Sequence, residues 1–375
     1  MRLPNLPAPF RAGWTFAAAG LAAMLWSCAP SPHHAGKDGD VAARVDSLVA
    51  TYQRRNYVPG MSVAVIRNGR DTLAYRGYGL ADVENGVPAT PETVYPIASN
   101  TKQFTAAAVM RLVDEKRLAL DDPVGRYLPK LPAAWRRIPV RQFLNHTSGI
   151  PDSPILLPYE VAPDSVLERA GTKPLDFAPG TRWKYSNTGY LVLGRLIEAV
   201  SGEPYAQYLE TKILAPNGLT ETRPCDADAL IRHRAAGYEL DDTTVVNAAY
   251  VHVGTSFSAG GLCSTAGGLA RWNRALATGR VVSPAAWARM TTPEGAATGY
   301  GYGLIVMSLD GHRLVGHGGE IAGFRSSSAY LPSDSLSATV LTNLGSEDPG
   351  PLTLGIARAV LGASRPPASP GGGRR

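Results

Sequence analysis

The chain has 375 residues, 44% of them apolar and 18% charged, a composition that can bury a sizeable core and that excludes a disordered or fibrous protein. The formal net charge is +6, but Arg2, Arg11, Arg365, Arg374 and Arg375 lie in end segments that carry no acid. The body is therefore nearly neutral, which argues against nucleic-acid binding, because that requires a clustered positive surface.

The first 28 residues predict an export signal. Arg2 and Arg11 precede an apolar run over residues 14–26, which is shorter than the roughly 20 residues of a bilayer span. The sequence Leu-Trp-Ser-Cys at 25–28 resembles a bacterial lipoprotein signal, in which Cys28 carries the lipid. The alternatives are a signal cleaved at a nearby small residue and an uncleaved anchor. We expect an exported protein in the periplasm or cell envelope, attached to the membrane through Cys28.

The rest of the chain divides into a linker, one long domain and a tail. Residues 29–40 are rich in Pro, Ser, His and Gly and predict a linker. Residues 41–362 hold a series of segments with regular apolar spacing, and they predict a single domain. Residues 363–375 are rich in Pro, Gly and Arg and predict a disordered tail.

The domain opens with a helix and a hairpin. Apolar residues recur at helical spacing over 41–57, and a hairpin is predicted from 61–67 and 71–78 around Asn68-Gly69. A second helix is predicted over 98–116.

Short helices fill the middle of the domain, and strands close it. The Pro-rich segment 121–180 precedes further helices at 190–201, at 205–213 and from a Thr265 cap to residue 277. The closing elements are predicted strands at 302–309, 313–316, 325–331 and 336–341, and a final helix at 352–361. This order predicts an α+β fold, in which N- and C-terminal segments share one antiparallel sheet flanked by helices, with a mainly helical lobe inserted. A site at the boundary of the lobe is the default expectation.

The sequence lacks the motifs of several common classes of enzyme. The seven histidines form neither H-E-x-x-H nor an i, i+4 pair, so a zinc site of that type is not expected. There is no P-loop, no G-x-G-x-x-G and no G-x-S-x-G nucleophile elbow. The sequence therefore predicts neither a metal nor an organic cofactor.

One helical pair does suggest chemistry. Ser99 and Lys102 are three residues apart at the start of a predicted helix, and that spacing places the amine beside the hydroxyl. A serine hydroxyl is a weak nucleophile until a base takes its proton. Lysine can be that base when desolvation lowers its pKa, and Lys102 lies in an otherwise apolar helix.

Two further motifs follow in order. Tyr185 and Asn187 are two residues apart, and in an extended segment both side chains would project into one cleft, where the phenol can relay a proton and the amide can bind a carbonyl. His317-Gly318-Gly319 lies in the late β-rich region, where glycine lets a strand edge approach a ligand and a following N–H can help to bind an oxyanion.

Together, S-x-x-K, Y-x-N and H-x-G in this order resemble the serine β-lactamase-like family. The chain is most similar to the branch of class C β-lactamases, D-alanyl-D-alanine carboxypeptidases, D-aminopeptidases and related esterases. The resemblance covers about residues 41–362 and rests also on the flanking text: YPIASNTKQFTAAAVMRLVDE, FLNHTSGIP, FAPGTRWKYSNTGYLVLGRLIEAVSG, GGLCSTAGGLARW and GHGGEIAGFRSSSAYLP.

The resemblance implies an exported serine hydrolase that acts through an acyl-enzyme on ester or amide substrates, namely D-amino peptide-like compounds, esters or β-lactams. It implies Ser99 as nucleophile, Lys102 as its activating partner and Tyr185 as general base and acid. The implied substrate-binding residues are Asn187, His317 and Gly319, and the implied oxyanion hole is the backbone N–H of Ser99 and of Glu320. One hypothesis for His317 is that its imidazolium form binds a substrate carboxylate. Gly318 stands where the family usually has Thr or Ser, so one hydroxyl for a substrate carboxylate is missing.

Some alternatives stay open at this stage. The partner of this chain is expected to be a small-molecule or peptide acyl substrate, but the domain could instead be a penicillin-binding sensor that is acylated and turns over poorly. His146 is interpreted as structural rather than as a triad histidine. In an oxidising compartment Cys225 and Cys263 form a disulfide or remain as two buried thiols.

Overall fold

A computed structural model describes residues 35–364. The signal segment with Cys28, the linker up to residue 34 and the tail from residue 365 lie outside the described residues, so the predictions about them stay predictions. Within 35–364 no helix combines the length and the apolar character needed to cross a membrane.

The predicted helices lie close to observed ones, and the sequence predicted no helix at Phe257–Gly260 or Pro284–Met290. They are α1 Ala35–Asn56, α2 Thr101–Asp114, α3 Val140–Leu144, α4 Pro163–Gly171, α5 Asn187–Ser201, α6 Tyr205–Tyr208, α7 Phe257–Gly260, α8 Ala266–Ala277, α9 Pro284–Met290 and α10 Gly350–Ser364. A π-helical segment, Leu209–Leu214, continues α6.

The strands are numbered along the chain in the same way. They are β1 Gly60–Arg67, β2 Asp71–Asp82, β3 Val87–Pro88, β4 Tyr95–Pro96, β5 Arg223–Pro224, β6 Tyr238–Asp241, β7 Thr244–Asn247, β8 Leu262–Ser264, β9 Ile305–Leu309, β10 His312–Ile321, β11 Phe324–Leu331 and β12 Leu336–Thr342.

One antiparallel sheet joins the two ends of the domain, as predicted. Its seven strands have the order β3-β2-β1-β12-β11-β10-β9. The first strand pairs directly with the last, from Met61 opposite Thr342 to Arg67 opposite Leu336. Most of the helices between β2 and β9 form the inserted lobe, whereas α8 packs on the sheet, so the α+β prediction is confirmed.

The two faces of this sheet differ in chemistry. Leu336, Ala338 and Val340 of β12 pack in an apolar cluster with α1 and α10. Alternate residues point to the opposite face, as the pleat requires. On that face Asn273 of α8 donates hydrogen bonds to the hydroxyls of Ser328 and Ser337, both at 2.9 Å.

Three elements differ from the predictions. Residues 35–40, assigned to the linker, form the first turns of α1, where Asp40 and Arg44 pair at i, i+4. The predicted helix over 98–116 starts as a 3₁₀ turn at Ala98–Asn100. The predicted strand over 302–309 starts only at Ile305, because Gly303 has a φ of +71° and lies against α2, where a Cβ would come within 2.6 Å of the Lys102 carbonyl.

A smaller three-stranded sheet holds the two cysteines. Its order is β4-β8-β5, and a disulfide joins Cys263 of β8 to Cys225, just after β5, with the Cα atoms 4.8 Å apart. Pro96 of β4 pairs with Cys263. The disulfide therefore ties the end of β5 to β8, and β8 pairs with β4, the strand that leads to the turn carrying Ser99.

Candidate active site

Ser99 sits in the 3₁₀ turn that precedes α2. The residue before it, Ala98, has a φ of +45°, a left-handed conformation that is strained for a side chain with a Cβ and that concentrates at functional sites. Ser99 is partly exposed, although Ala98 and Asn100 on either side are buried. The turn thus presents one hydroxyl at the surface of a buried segment.

Lys102 lies fully buried one turn further along. Its Nζ is 3.1 Å from Ser99 Oγ, 2.8 Å from Asn187 Oδ1 and 2.8 Å from the backbone oxygen of Ala259. The side-chain distance to Ser99 matches the expectation from the S-x-x-K spacing.

The protons on Lys102 can be placed by chemistry. Burial lowers the pKa of Lys102 to about 7, and the nearby charge of Asp152 opposes that shift. A neutral amine has two hydrogens and one lone pair. Because Asn187 Oδ1 and the Ala259 oxygen can only accept, the two hydrogens go to them. The lone pair is then directed at the Ser99 hydroxyl.

Tyr185 faces the same amine. The Lys102 Nζ lies 4.7 Å from the centre of the Tyr185 ring. The phenol oxygen is buried and has no hydrogen-bond partner among the described residues. Burial raises the pKa of Tyr185, with Ser99 acting in the opposite direction. The group therefore stays a phenol at neutral pH and can donate a proton more readily than it can remove one.

Tyr185 and Asn187 meet Lys102 by a different geometry from the predicted one. The sequence prediction placed both residues on an extended segment, but Asn187 is the first residue of α5 and only Ser186 between them is extended. Ser186 caps the helix by accepting from the Gly189 N–H at 3.0 Å. The helix start, rather than strand alternation, aims the amide at Lys102.

Strand β10 brings the third motif to Ser99. A Cβ on Gly319 would lie 2.2 Å from the Ile97 carbonyl oxygen and 3.1 Å from the Ser99 nitrogen, so only glycine allows this approach. Glu320 follows, and its carboxylate pairs with Arg325 at 2.7 Å. The roles of the Ser99 and Glu320 N–H groups in an oxyanion hole stay predictions, which this close approach supports.

His317 is not placed to bind a substrate carboxylate as a cation. It is buried, and desolvation lowers its pKa to about 3, with the charge of Lys102 acting in the same direction. Nδ1 faces the Gly318 carbonyl oxygen, so it carries the proton, and Nε2 accepts from the Tyr300 hydroxyl at 2.9 Å. Both ring nitrogens are occupied, so the sequence-based idea of an imidazolium here is wrong.

His146 has the structural role that the sequence analysis favoured. Its Nδ1 accepts the backbone N–H of Ser186 at 3.1 Å, and burial lowers its pKa well below the usual value. The ring also packs 4.3 Å from the Tyr185 ring, centre to centre. His146 therefore supports the loop that carries Tyr185, and no contact joins it to Ser99.

Three groups at the site escaped the sequence analysis: Asp152, Tyr300 and the Ala259 carbonyl. A backbone carbonyl has no sequence signature, and a single aspartate after a proline looks like an ordinary turn residue. Tyr300 lies in the run Gly-Tyr-Gly-Tyr-Gly at 299–303, a pattern of close backbone approach that could have drawn attention. Within the described chain, no group of three or more His, Cys, Asp or Glu side chains is arranged to hold a metal ion.

Comparison of the sequence with known proteins finds one matching family and several similar relatives. The model of the family described as Beta-lactamase matches residues 45–362. "Protein flp" of Staphylococcus aureus is 32% identical over 221 residues, covering 55% of this chain and 43% of that protein. A D-aminopeptidase of Brucella anthropi is 30% identical over 315 residues, covering 80% of this chain and 59% of that protein. The alignments thus span about half the length of these relatives.

Solved structures are similar over most of the chain. A D-amino acid amidase from Ochrobactrum anthropi SV3, complexed with L-phenylalanine amide, superposes with a TM-score of 0.76 at 26% identity, covering 86% of this chain and 98% of that one. The octameric penicillin-binding protein homologue from Pyrococcus abyssi gives 0.74 at 31% identity, covering 85% and 77%. These structures share the fold described above.

Proposed function

This chain belongs to the beta-lactamase family, and from that premise we propose that it is an exported serine hydrolase that works through an acyl-enzyme on ester or amide substrates. Ser99 is the nucleophile, Lys102 the base that activates it, and Tyr185 the group that passes the proton to the leaving atom. The machinery uses no cofactor.

One observation carries this proposal. The amine of Lys102 is buried and 3.1 Å from Ser99 Oγ, and its two other polar contacts are to oxygens that can only accept. A lysine in that setting offers its lone pair to the serine hydroxyl near neutral pH, which is what a serine nucleophile needs. Surface lysines have neither the lowered pKa nor the fixed orientation.

The acylation step follows from these contacts. Ser99 Oγ bonds to the substrate carbonyl carbon while its proton moves to Lys102 Nζ, and the backbone N–H groups of Ser99 and Glu320 hold the oxyanion. The proton then reaches the leaving oxygen or nitrogen through the Tyr185 hydroxyl, and the bond from the carbonyl carbon to that atom breaks. Asn187 Oδ1 accepts a hydrogen bond from Lys102 Nζ, so the NH₂ group of Asn187 can donate to the substrate. A water oxygen then bonds to the acyl carbonyl carbon, its proton passes through the same groups to Ser99 Oγ, and the bond from Ser99 Oγ to that carbon breaks, which releases the acid and frees Ser99.

The proposed substrates are amides and esters without a carboxylate beside the scissile bond. Gly318 offers no hydroxyl, and His317 is neutral, so the third motif holds no side-chain cation or hydroxyl for such a carboxylate. The similarity to a D-aminopeptidase and a D-amino acid amidase favours D-amino acid amides and short D-amino peptides. Export and lipid attachment through Cys28 remain part of the proposal on the strength of the leader sequence alone.

The experiment is hydrolysis of a panel of nitrophenyl esters and D-amino acid anilides by the parent and by Ser99→Ala. We expect Ser99→Ala to lose activity on every accepted substrate by a factor on the order of 10⁴ or more, and to keep the parent's melting temperature. The matched control is Ser308→Ala, an exposed serine on β9, which should hydrolyse at the parent's rate. Undiminished hydrolysis by Ser99→Ala would refute the proposal.

An initial burst without steady turnover on every substrate would favour the acylated sensor instead. In that case Ser99→Ala abolishes the burst, so the nucleophile stands and only turnover is lost.

A further inference from the structure

Asp152 lies beyond the catalytic groups, on the loop after α3, and binds the start of α5. Its Oδ1 accepts from the Ser186 hydroxyl at 2.8 Å and from the Thr188 N–H at 3.0 Å, and its Oδ2 accepts from the Asn187 N–H at 3.3 Å. A carboxylate at a helix N-terminus also interacts favourably with the positive end of the helix dipole. One side chain therefore fixes three consecutive residues.

These three residues follow Tyr185 directly in the chain, and Asn187, the middle one, contacts the Lys102 amine. Asn187, held through its backbone by Asp152, accepts from Lys102 Nζ with its side chain at 2.8 Å. The path from Asp152 to the amine thus runs through one residue. If the Asp152 contacts change, the position of Asn187 Oδ1 changes. The direction of the Lys102 lone pair then changes too, because Lys102 donates to that oxygen.

Asp152 also supplies negative charge next to a buried amine. Its charge raises the pKa of Lys102 against the lowering by burial. The other titratable groups that face Lys102 are uncharged at working pH. Burial raises the pKa of Tyr185 and of Tyr190, whose rings contact the amine, and burial lowers the pKa of His146 and of His317.

We propose that Asp152 is a positioning residue for the proposed reaction, which orients Asn187 and sets the pH range in which Lys102 can act as a base. This inference rests on the proposed function of Ser99 and Lys102. It assigns no contact between Asp152 and substrate.

A similar aspartate–serine cap is present at the start of α9, and it serves as the matched control. Asp114, at the end of α2, accepts from the N–H and the hydroxyl of Ser283, at 2.8 and 2.7 Å. Ser283 caps α9 by accepting from the Ala286 N–H at 3.1 Å. Like Ser186, Ser283 donates its hydroxyl to an aspartate and accepts from the N–H three residues further along, but this second cap holds no residue that contacts Lys102.

The experiment compares pH profiles of kcat/KM on one nitrophenyl ester for the parent, Asp152→Asn, Ser186→Ala and Asp114→Asn, with melting temperatures measured in parallel. The parent's activity should rise with pH through about 7, as Lys102 loses its proton. In Asp152→Asn the lost negative charge should move that midpoint to lower pH by on the order of one pH unit. The plateau value of kcat/KM at high pH should fall several-fold, because an amide at position 152 holds the backbone of Asn187 less firmly than the carboxylate does.

The other variants separate charge from geometry. Ser186→Ala should lower the plateau and keep the parent's midpoint, because the Asp152 charge remains. Asp114→Asn should change neither. If Asp152→Asn does not fold, Asp152→Glu replaces it: the retained charge should keep the parent's midpoint while the longer side chain lowers the plateau.

Coincident midpoints for the parent and Asp152→Asn would overturn the inference, and so would a shifted midpoint in Asp152→Glu. Ser99→Ala is measured in the same series. If Ser99→Ala is inactive and the midpoints coincide, only the role of Asp152 fails. If Ser99→Ala keeps its activity, the proposed function itself fails.

Discussion

The two faces of the seven-stranded sheet are built by opposite rules. The face under α1 and α10 is apolar, with Val45, Val340 and Ile356 fully buried among other aliphatic residues. On the other face Ser326 of β11 donates to the Ile97 carbonyl oxygen and accepts from the Asn100 amide, both at 2.8 Å. These two hydrogen bonds hold the residues on either side of Ser99 in place.

The difference shows how the molecule divides its tasks. Burial of aliphatic side chains is non-directional and stabilises the sheet as a whole. Hydrogen bonds are directional, and a buried polar group without a partner costs free energy, so the polar face can specify one position for the turn. Changes on the apolar face should therefore affect stability, and changes on the polar face should affect chemistry.

The largest expected effect comes from the buried Lys102 amine beside the Ser99 turn. Lys102→Met keeps the length of the side chain and removes the base, so kcat/KM on an ester should fall by a factor on the order of 10²–10⁴. The control is Lys212→Met, a surface lysine paired with Glu203 at 3.3 Å, which should match the parent. Activity of Lys102→Met within tenfold of the parent would show that the base is another group.

A substitution on the apolar face should lower stability and leave the pH dependence of catalysis unchanged. Ile356→Ala on α10 removes a fully buried side chain, so the free energy of unfolding should fall by about 2–5 kcal/mol. The midpoint of the pH profile of kcat/KM should stay where it is in the parent, because no group near Lys102 moves. Denaturant unfolding and the pH series measure both quantities, and a shifted midpoint would break the separation of the two faces.

The smallest expected effect concerns His317, on the polar face but with both nitrogens occupied. The pKa of about 3 leaves it neutral across pH 5.5–8. The ratio of KM for a substrate with a carboxylate to KM for its uncharged amide should follow the same pH curve in the parent and in His317→Gln. A ratio that rises through pH 6.5 only in the parent would restore the imidazolium interpretation.

The sequence predicted what depends on local spacing. Helical periodicity located α1, α2 and α5. Alternation with turn signals located six of the seven strands of the sheet, but it missed β3 and ended β10 at residue 316 rather than 321. Ser99 and Lys102 meet as predicted because i and i+3 are neighbours on any helical turn. Tyr185 and Asn187 both lie beside Lys102, although a helix start rather than a strand brings them there.

The missed features depend on tertiary neighbours. Asp152 is 34 residues before Ser186 in the chain, and nothing in its local sequence marks it as a cap for α5. The burial that lowers the pKa of His317 arises from packing of distant segments, as does the approach of the Ala259 carbonyl to Lys102. Such contacts become visible only when the lobe and the sheet are assembled.

The most direct test of the account is to trap the acyl-enzyme and locate it. The parent is mixed with a nitrophenyl ester, quenched with acid during the first turnovers and digested for peptide mass mapping. We predict one acyl group, on Ser99, whose rate of formation rises with pH through about 7. An acyl group on another residue, or hydrolysis that continues in Ser99→Ala, would contradict the central claim that Lys102 activates Ser99.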